Sequence, residues 1–263
     1  MELGLRSRAA LVTGASRGLG RAVAEALAAE GVDVAISART AADLERTRAD
    51  IAAATGARVI AIAGDLASEA GPAEVAARAL AELGRVDVLV TNGGGPPAGP
   101  FEAHDRRAWR SALSGNFESA VELVRAVLPG MKERGWGRII AITSIAAKQP
   151  VDGLILSNAS RAAVTGFART LANEVGRHGV TVNCVLPGYT RTQRVDTLAE
   201  KLAAARGCAP TDIVDEWASQ IPAGRLGEPA ELAALVAFLA SERASYITGT
   251  SIPVDGGWIR GLL

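Results

Sequence analysis

Cysteine, histidine, tyrosine and lysine are all scarce in this chain of 263 residues, and each scarcity narrows what it can do. The cysteines, Cys184 and Cys208, lie in unlike surroundings: the apolar VTVNCVLP and the loop-like RGCAP. That pattern excludes a disulfide framework and a cysteine metal site. His104 and His178 have no metal-ligand company, so no metal is expected. His178 precedes an apolar strand and reads as a surface residue. His104 opens the charged HDRRAW and reads as a helix cap or a solvated side chain. No run of about 18 apolar residues occurs, so no membrane span is expected. The opening MELGLRSRAALVTG lacks the long apolar region of a signal peptide. Lys plus Arg is 28 and Asp plus Glu is 28, so no net charge draws the chain to nucleic acid or to an anionic membrane. A reducing cytoplasm is the expected setting.

What is abundant is apolar: hydrophobic residues make up 49% and charged residues 21%. Short β-rich runs alternate with Ala/Leu stretches at helical spacing. The strand candidates are 9–14, 32–38, 58–64, 86–92, 138–144, 180–187 and 246–254. The intervening helical stretches RAVAEALAAEG, DLERTRADIAAATG and PAEVAARALAELG each end near a glycine. Nearly continuous apolar strands imply burial on both faces, hence a parallel sheet covered by helices. Repeated β-α units predict a single α/β domain over 1–263, a Rossmann-type doubly wound sheet of seven parallel strands. The longest irregular region, about 188–228, holds short helical pieces. It is expected to form a substrate flap outside the C-terminal strand ends.

The segment LVTGASRGLGRAVAEAL joins the first strand to the first helix. Gly14, Gly18 and Gly20 permit a tight turn and let the backbone approach a diphosphate at a helix N-terminus. The spacing is TGxxxGxG, and in this respect the chain resembles the short-chain dehydrogenase/reductase family. The resemblance spans essentially the whole chain. Asp65 in AGDLAS, Asn92-Gly93-Gly94, Asn116 in SGNFESA, Ser144 in AITSIAA, Pro187-Gly188 with Thr190 and Thr192, and the C-terminal GEPAELAALVAFLASERASYITGTSIPVDGG all follow in family order.

The resemblance implies a dinucleotide held by Gly14, Ser16, Arg17, Gly18, Leu19, Gly20, Asp65, Leu66, Asn92, Gly93 and Gly94, with Pro187, Gly188, Thr190 and Thr192 around the nicotinamide. Where a carboxylate usually grips a free ribose 2′-hydroxyl, the second strand ends ISART, with Ala38 and Arg39. Arg39 and Arg17 suit a 2′-phosphate, which accepts forked hydrogen bonds, so NADP(H) is expected over NAD(H).

One motif departs from the family. Its members place Tyr-x-x-x-Lys where this chain reads SNASR, so Ser157 takes the tyrosine position and Arg161 the lysine position. By resemblance the catalytic set is Asn116, Ser144, Ser157 and Arg161, with Arg161 also contacting the nicotinamide ribose. A phenol of pKa about 10 can exchange a proton once perturbed; an aliphatic hydroxyl is a far weaker acid and mainly a hydrogen-bond donor. The alternative for the Ser157–Arg161 pair is mutual capping of a helix start.

Tyr189 and Tyr246 are the only tyrosines. Tyr189, beside Pro187-Gly188, either lines the pocket or replaces the missing acid; Tyr246 matches a structural position. Lys148 is the only lysine near the pocket and reads as a surface residue. Two readings therefore stand: a reductase for a carbonyl or alcohol substrate, 3-oxoacyl compounds among the candidates, or a dinucleotide-binding sensor or partner protein with little catalysis. A lyase or dehydratase step at the same cleft is a third. The resemblance further implies a homotetramer.

Overall fold

The computed structural model describes residues 2–262. Seven strands form one parallel sheet: β1 (Ala9–Thr13), β2 (Asp33–Ala38), β3 (Val59–Ala63), β4 (Val88–Asn92), β5 (Gly137–Ile142), β6 (Val180–Pro187) and β7 (Ser251–Val254). Their order is β3-β2-β1-β4-β5-β6-β7, so the chain reverses direction across the sheet between β1 and β4. Leu11 pairs with Leu89 across that junction, and Asn92 pairs with Ile142 at the far end of β4. Every residue of β1 and of β5 is buried, as a sheet covered on both faces requires.

Helices α1 (Gly18–Ala29) and α2 (Ala41–Thr55), with α9 (Pro229–Ala240), cover one face through Val23, Leu27, Leu44, Ile51, Leu232 and Val236. Helices α3 (Gly71–Leu83), α5 (Ser119–Glu133) and α6 (Ile155–Val175) cover the other through Val75, Ala79, Leu123, Val127, Val164 and Leu171. Each fully buried aliphatic side chain stabilises by about 1.5–3 kcal/mol relative to exposure, so these two layers dominate the energetics. Helices α2 and α3 stop at Gly56 and Gly84, both left-handed, as the glycines at their ends imply.

Away from the cleft, the fully buried Asp87 fixes the start of β4. Its Oδ2 accepts from the Ala9 N–H at 3.1 Å and lies 3.0 Å from Arg85 Nε. Arg134 Nε is 3.2 Å from the other oxygen, close enough for charge pairing without an aligned hydrogen bond.

Two expectations need correction. The last strand covers only Ser251–Val254, not 246–254. Tyr246 is fully exposed, and Gly249 turns left-handed before the strand begins. The 188–228 region is more regular than its sequence suggests: α7 (Gln193–Arg206) and α8 (Pro210–Gln220) occupy most of it. They build a small core of their own from Ala199, Ala203, Ile213, Trp217, Ile221 and Leu226. Apolar residues four apart on α7 face this core, with Asp196, Glu200 and Lys201 outward.

Candidate functional site

The cleft opens where β1 and β4 end, the switch point at which α/β sheets take ligands. Thr13 Oγ1 donates to the Asn92 carbonyl at 2.9 Å and accepts from the Asn92 N–H at 2.9 Å. Asn92 Nδ2 reaches back to the Gly14 carbonyl at 3.2 Å. This knot needs glycine. Gly14 sits at φ 59°, and a Cβ there would stand 2.6 Å from the Asn92 carbonyl oxygen. At Gly20 a Cβ would overlap the Gly14 carbonyl. Gly18, also left-handed, begins α1, which directs the helix N-terminus into the cleft. Ser16 offers its carbonyl to Thr47 Oγ1 at 2.8 Å, and Leu19 packs on the core below.

Arg39 is exposed just past β2 and takes part in no ion pair among the described residues. Arg17 crosses the cleft instead: its Nη1 donates to Gln193 Oε1 at 2.8 Å. Asp65 is exposed after β3 and accepts the Ala67 N–H at 3.1 Å in a local turn. Its neighbour Leu66 lines the cleft floor.

The catalytic residues expected from the sequence come from three elements. Asn116 lies in a π-helical turn, Ser114–Glu118, between α4 (Arg106–Leu113) and α5. Its Nδ2 donates to the Ala112 carbonyl at 2.9 Å, and its buried Oδ1 has no protein partner. Ser144 caps a short turn after β5, its Oγ accepting from the Ala146 N–H at 3.1 Å. Ser157 and Arg161 occupy the first turns of α6, both buried. They do not cap the helix: its first cap is Leu154, with no side-chain hydrogen bond.

Arg161 turns inward. Its Nη1 donates to the Ile142 carbonyl at 2.8 Å and its Nη2 to the Gly93 carbonyl at 3.5 Å, so it joins the ends of β4 and β5. Its Nε is buried without a partner. Burial, and then the neighbouring charge of Arg194, push its pKa down to about 10, which leaves it charged at neutral pH. Between Asn116 and Arg161 lies a cavity of about 20 Å³, also bounded by Thr91, Asn92, Gly93 and Ile142. That is room for one water, and an orphaned acceptor and an orphaned donor border it.

Pro187 and Gly188 lead from β6 into the flap. The Gly188 N–H donates to the Val254 carbonyl at 3.0 Å, and a Cβ at Gly188 would press on Asp255 at 2.7 Å. Thr190 is buried, and its Oγ1 donates to the Gly188 carbonyl at 3.3 Å. Thr192 caps α7, with its methyl over Gly18. Tyr189 points away into the flap's own core, stacked on Trp217 at 4.9 Å between centroids and edge-on to Trp258. Burial, and then Glu216, raise its pKa, opposite to the tuning of a proton donor near neutrality.

Lys148 is exposed, as its sequence context implies. Asp105, not His104, caps α4, accepting from the Ala108 N–H at 2.8 Å. His104 ends the preceding turn with its Nε2 buried. His178 accepts from Arg177 Nε at 3.3 Å outside the cleft. Sequence reasoning missed Gln193 and Arg194. The available signal was an arginine in a helix's first turn, where a cation is disfavoured.

Comparison with known proteins agrees with this architecture. Residues 14–259 match the family described as Enoyl-(Acyl carrier protein) reductase. Short-chain reductase protein NovJ of Streptomyces niveus is 40% identical over 94% of this chain and 92% of its own length. Acetoacetyl-CoA reductase of Shinella zoogloeoides is 38% identical over 95% of this chain and 98% of its own. The crystal structure of L-sorbose reductase from Gluconobacter frateurii, complexed with NADPH and L-sorbose, superposes with a TM-score of 0.96 at 33% identity, covering 100% of both chains. No helix among the described residues is long and apolar enough to cross a membrane.

Proposed function

Because the chain belongs to the short-chain dehydrogenase/reductase family, we propose that it is an NADP(H)-dependent oxidoreductase acting on a carbonyl or alcohol. The observation that carries the cofactor assignment is the arginine-lined, acid-free end of β2. Arg39 stands there with no carboxylate to neutralise it, and Arg17 faces the same cleft. The knot at Gly14 and Gly20 fixes the glycine loop, which is partly open at Gly14 and Gly18, and the N-terminus of α1 favours a diphosphate's charge. The residues present fit the dinucleotide. Asp65, Leu66, Gly93 and Gly94 would flank its adenosine and ribose groups, and Pro187, Gly188, Thr190 and Thr192 its nicotinamide end. When bound, the nicotinamide supplies or accepts the hydride.

The chain's own residues do the rest. Ser144 and Ser157 offer hydroxyls to the substrate oxygen. Arg161, charged at neutral pH, stabilises negative charge developing on that oxygen from its buried position. Because a guanidinium gives up its proton reluctantly, the proton reaches the oxygen through water held beside Asn116, at the cavity that Arg161 also lines. Ser157 and Arg161 thus replace the tyrosine and lysine of the family pattern by electrostatic and water-mediated means. Stopped-flow loss of NADPH absorbance across a panel of ketones, including 3-oxoacyl thioesters, tests the reading. Tight NADPH binding with no consumption by any ketone would overturn it.

A second reading, a dinucleotide-binding sensor with little catalysis, is favoured by one observation. Arg161's Nη groups are already committed to the carbonyls of Ile142 and Gly93. Gain of turnover in Ser157→Tyr combined with Arg161→Lys, from a silent parent, would favour it. The sheet-edge strand β7 is only half-buried and Tyr246 is fully exposed, which supports contact between copies along this edge; the homotetramer of the family pattern is the assembly proposed. Light scattering in solution measures the subunit number.

A further inference from the structure

The flap brings a second cation into the cleft. Arg194, in the first turn of α7, lies with its guanidinium directly over Gly95; any Cβ at that position would overlap it. Gly95 is two residues from Gly93, whose carbonyl accepts from Arg161. The two guanidiniums therefore stand over one stretch of cleft floor, near enough for the charge of Arg194 to depress the pKa of Arg161.

This arrangement is unfavourable by itself. A cation at a helix N-terminus opposes the macrodipole, and two like charges repel. Arg194 is exposed on one side, and the protein packed around its other side lowers its pKa by desolvation, an effect that the open side moderates. No carboxylate compensates: among the described residues neither arginine takes part in an ion pair. Most other arginines on α1, α2, α7 and the flap do have acidic partners, including Arg21, Arg46, Arg48, Arg191, Arg206 and Arg225. Arg194 keeps part of its surface open to solvent, so an anion from outside the chain can reach it and complete the pair. Gly95 makes the place for it, since only glycine leaves the guanidinium room to lie across the floor.

We propose that Arg194, seated on Gly95, receives an anionic group of the substrate, a carboxylate attached to the reduced carbonyl directly or through one carbon. The substrate class is then the oxo acids, or the corresponding hydroxy acids in the reverse direction. This rests on the reductase reading above and narrows it. The planar fork of the guanidinium suits bidentate capture of a carboxylate, and capture would fix the carbonyl's position relative to Ser144 and Ser157.

The test uses matched pairs: acetoacetate against methyl acetoacetate, and phenylpyruvate against methyl phenylpyruvate. Calorimetry on the NADPH-saturated protein gives a dissociation constant for each. In the wild type at least one acid binds more tightly than its ester, by about ten- to a hundredfold, the range of a charge-assisted hydrogen bond. The ratio falls to near one in Arg194→Met, and in Gly95→Ala, which evicts the guanidinium without removing its charge. Arg194→Lys retains part of it.

Equal binding of acid and ester in the wild type for both pairs would overturn the proposal, as would a ratio that neither substitution moves. Protein fluorescence on titrating NADPH alone separates the other source of anion. If Arg194→Met weakens NADPH more than tenfold and leaves the acid-to-ester ratio intact, Arg194 serves the cofactor's diphosphate and the proposal fails. Absence of NADPH oxidation with any ketone bears on the reductase reading alone, because the binding ratios require no turnover.

Discussion

Arg17 Nη1 and Gln193 Oε1 meet at 2.8 Å, and this bond joins the glycine loop to the start of α7. The bond is exposed, so it contributes only about 0.5–1.5 kcal/mol. Gln193→Ala is expected to speed NADPH release by about two- to tenfold, read by stopped-flow displacement with excess NADP⁺. An unchanged release rate would mean that the two lips part without resistance from this pair.

On the proposed reading, Arg39 sets the preference between the two nicotinamide dinucleotides. Arg39→Asp places a carboxylate where a 2′-phosphate would lie and a 2′-hydroxyl would be welcomed. NADPH affinity is expected to fall by about ten- to a hundredfold, with NADH held constant or improved. Fluorescence titration of both nucleotides against wild type and variant measures the change in ratio.

The pH dependence follows from Arg161. With a pKa of about 10, its guanidinium stays charged through neutrality and loses charge as the pH approaches and passes 10. Neither hydroxyl of Ser144 or Ser157 titrates near neutrality. The wild-type rate is therefore expected to be flat from about pH 6 to about pH 9. The double variant Ser157→Tyr with Arg161→Lys acquires a general acid, and its rate falls as the pH rises past the tyrosine's pKa. The change from a flat to a sloping profile is the readout. Where the parent turns over slowly, the restored acid is expected to raise the rate by up to about 10²-fold.

Tyr189 serves the flap's packing. Tyr189→Phe keeps the stack on Trp217 and loses only the hydroxyl, so kcat is expected to stay within about threefold, less than a lost general acid produces. Trp217→Ala instead opens a hole in the small α7–α8 core and costs about 3–5 kcal/mol, felt as lost amide protection in α7 and α8 before the sheet.

Glu231 supplies a pH-dependent stability difference. It pairs with Arg225 at 2.6 Å and accepts the Glu228 N–H at 2.7 Å at the head of α9. The Arg225 hydrogen bond, followed by that backbone contact, holds its pKa down to about 2 from 4.5. A depressed carboxyl pKa adds stability that is present above 4.5 and lost as the pH falls toward 2. The melting temperature of wild type is expected to exceed that of Glu231→Gln at pH 6, and the gap to close as the pH approaches 2.

The sequence carried the first six strands because they are short apolar runs bounded by turn residues, and burial on both faces leaves little ambiguity; the half-buried β7 was read five residues too long. It carried the glycine knot because Gly14 and Gly20 each exclude a side chain for a steric reason. It carried α8 and the second half of α7 as short helical pieces, but not the full length of α7, whose alanine-rich face is weakly apolar, nor the small core in which Trp217, Tyr189 and Trp258 converge from distant positions. Nor did it show where Arg161 points. Sharing a helix face with Ser157 suggested a cap, but the carbonyls of Ile142 and Gly93 lie on other elements and compete better for the guanidinium. The role of Arg194 was hidden for the same reason: its partner surface, Gly95, lies about a hundred residues earlier in the chain.

The π-helical turn at Ser114–Glu118 amounts to one surplus residue wound into a continuous α4–α5 rod. Each residue of an ordinary α-helix advances its side chain by about 100° around the axis. Removing that surplus would straighten the rod and swing Asn116 off the cavity wall by roughly that angle, while the buried stripe of α5 kept its bearing on the sheet. The orientation of this amide is thus encoded by chain length as much as by residue type, and a single-codon deletion could erase it where most substitutions nearby would not.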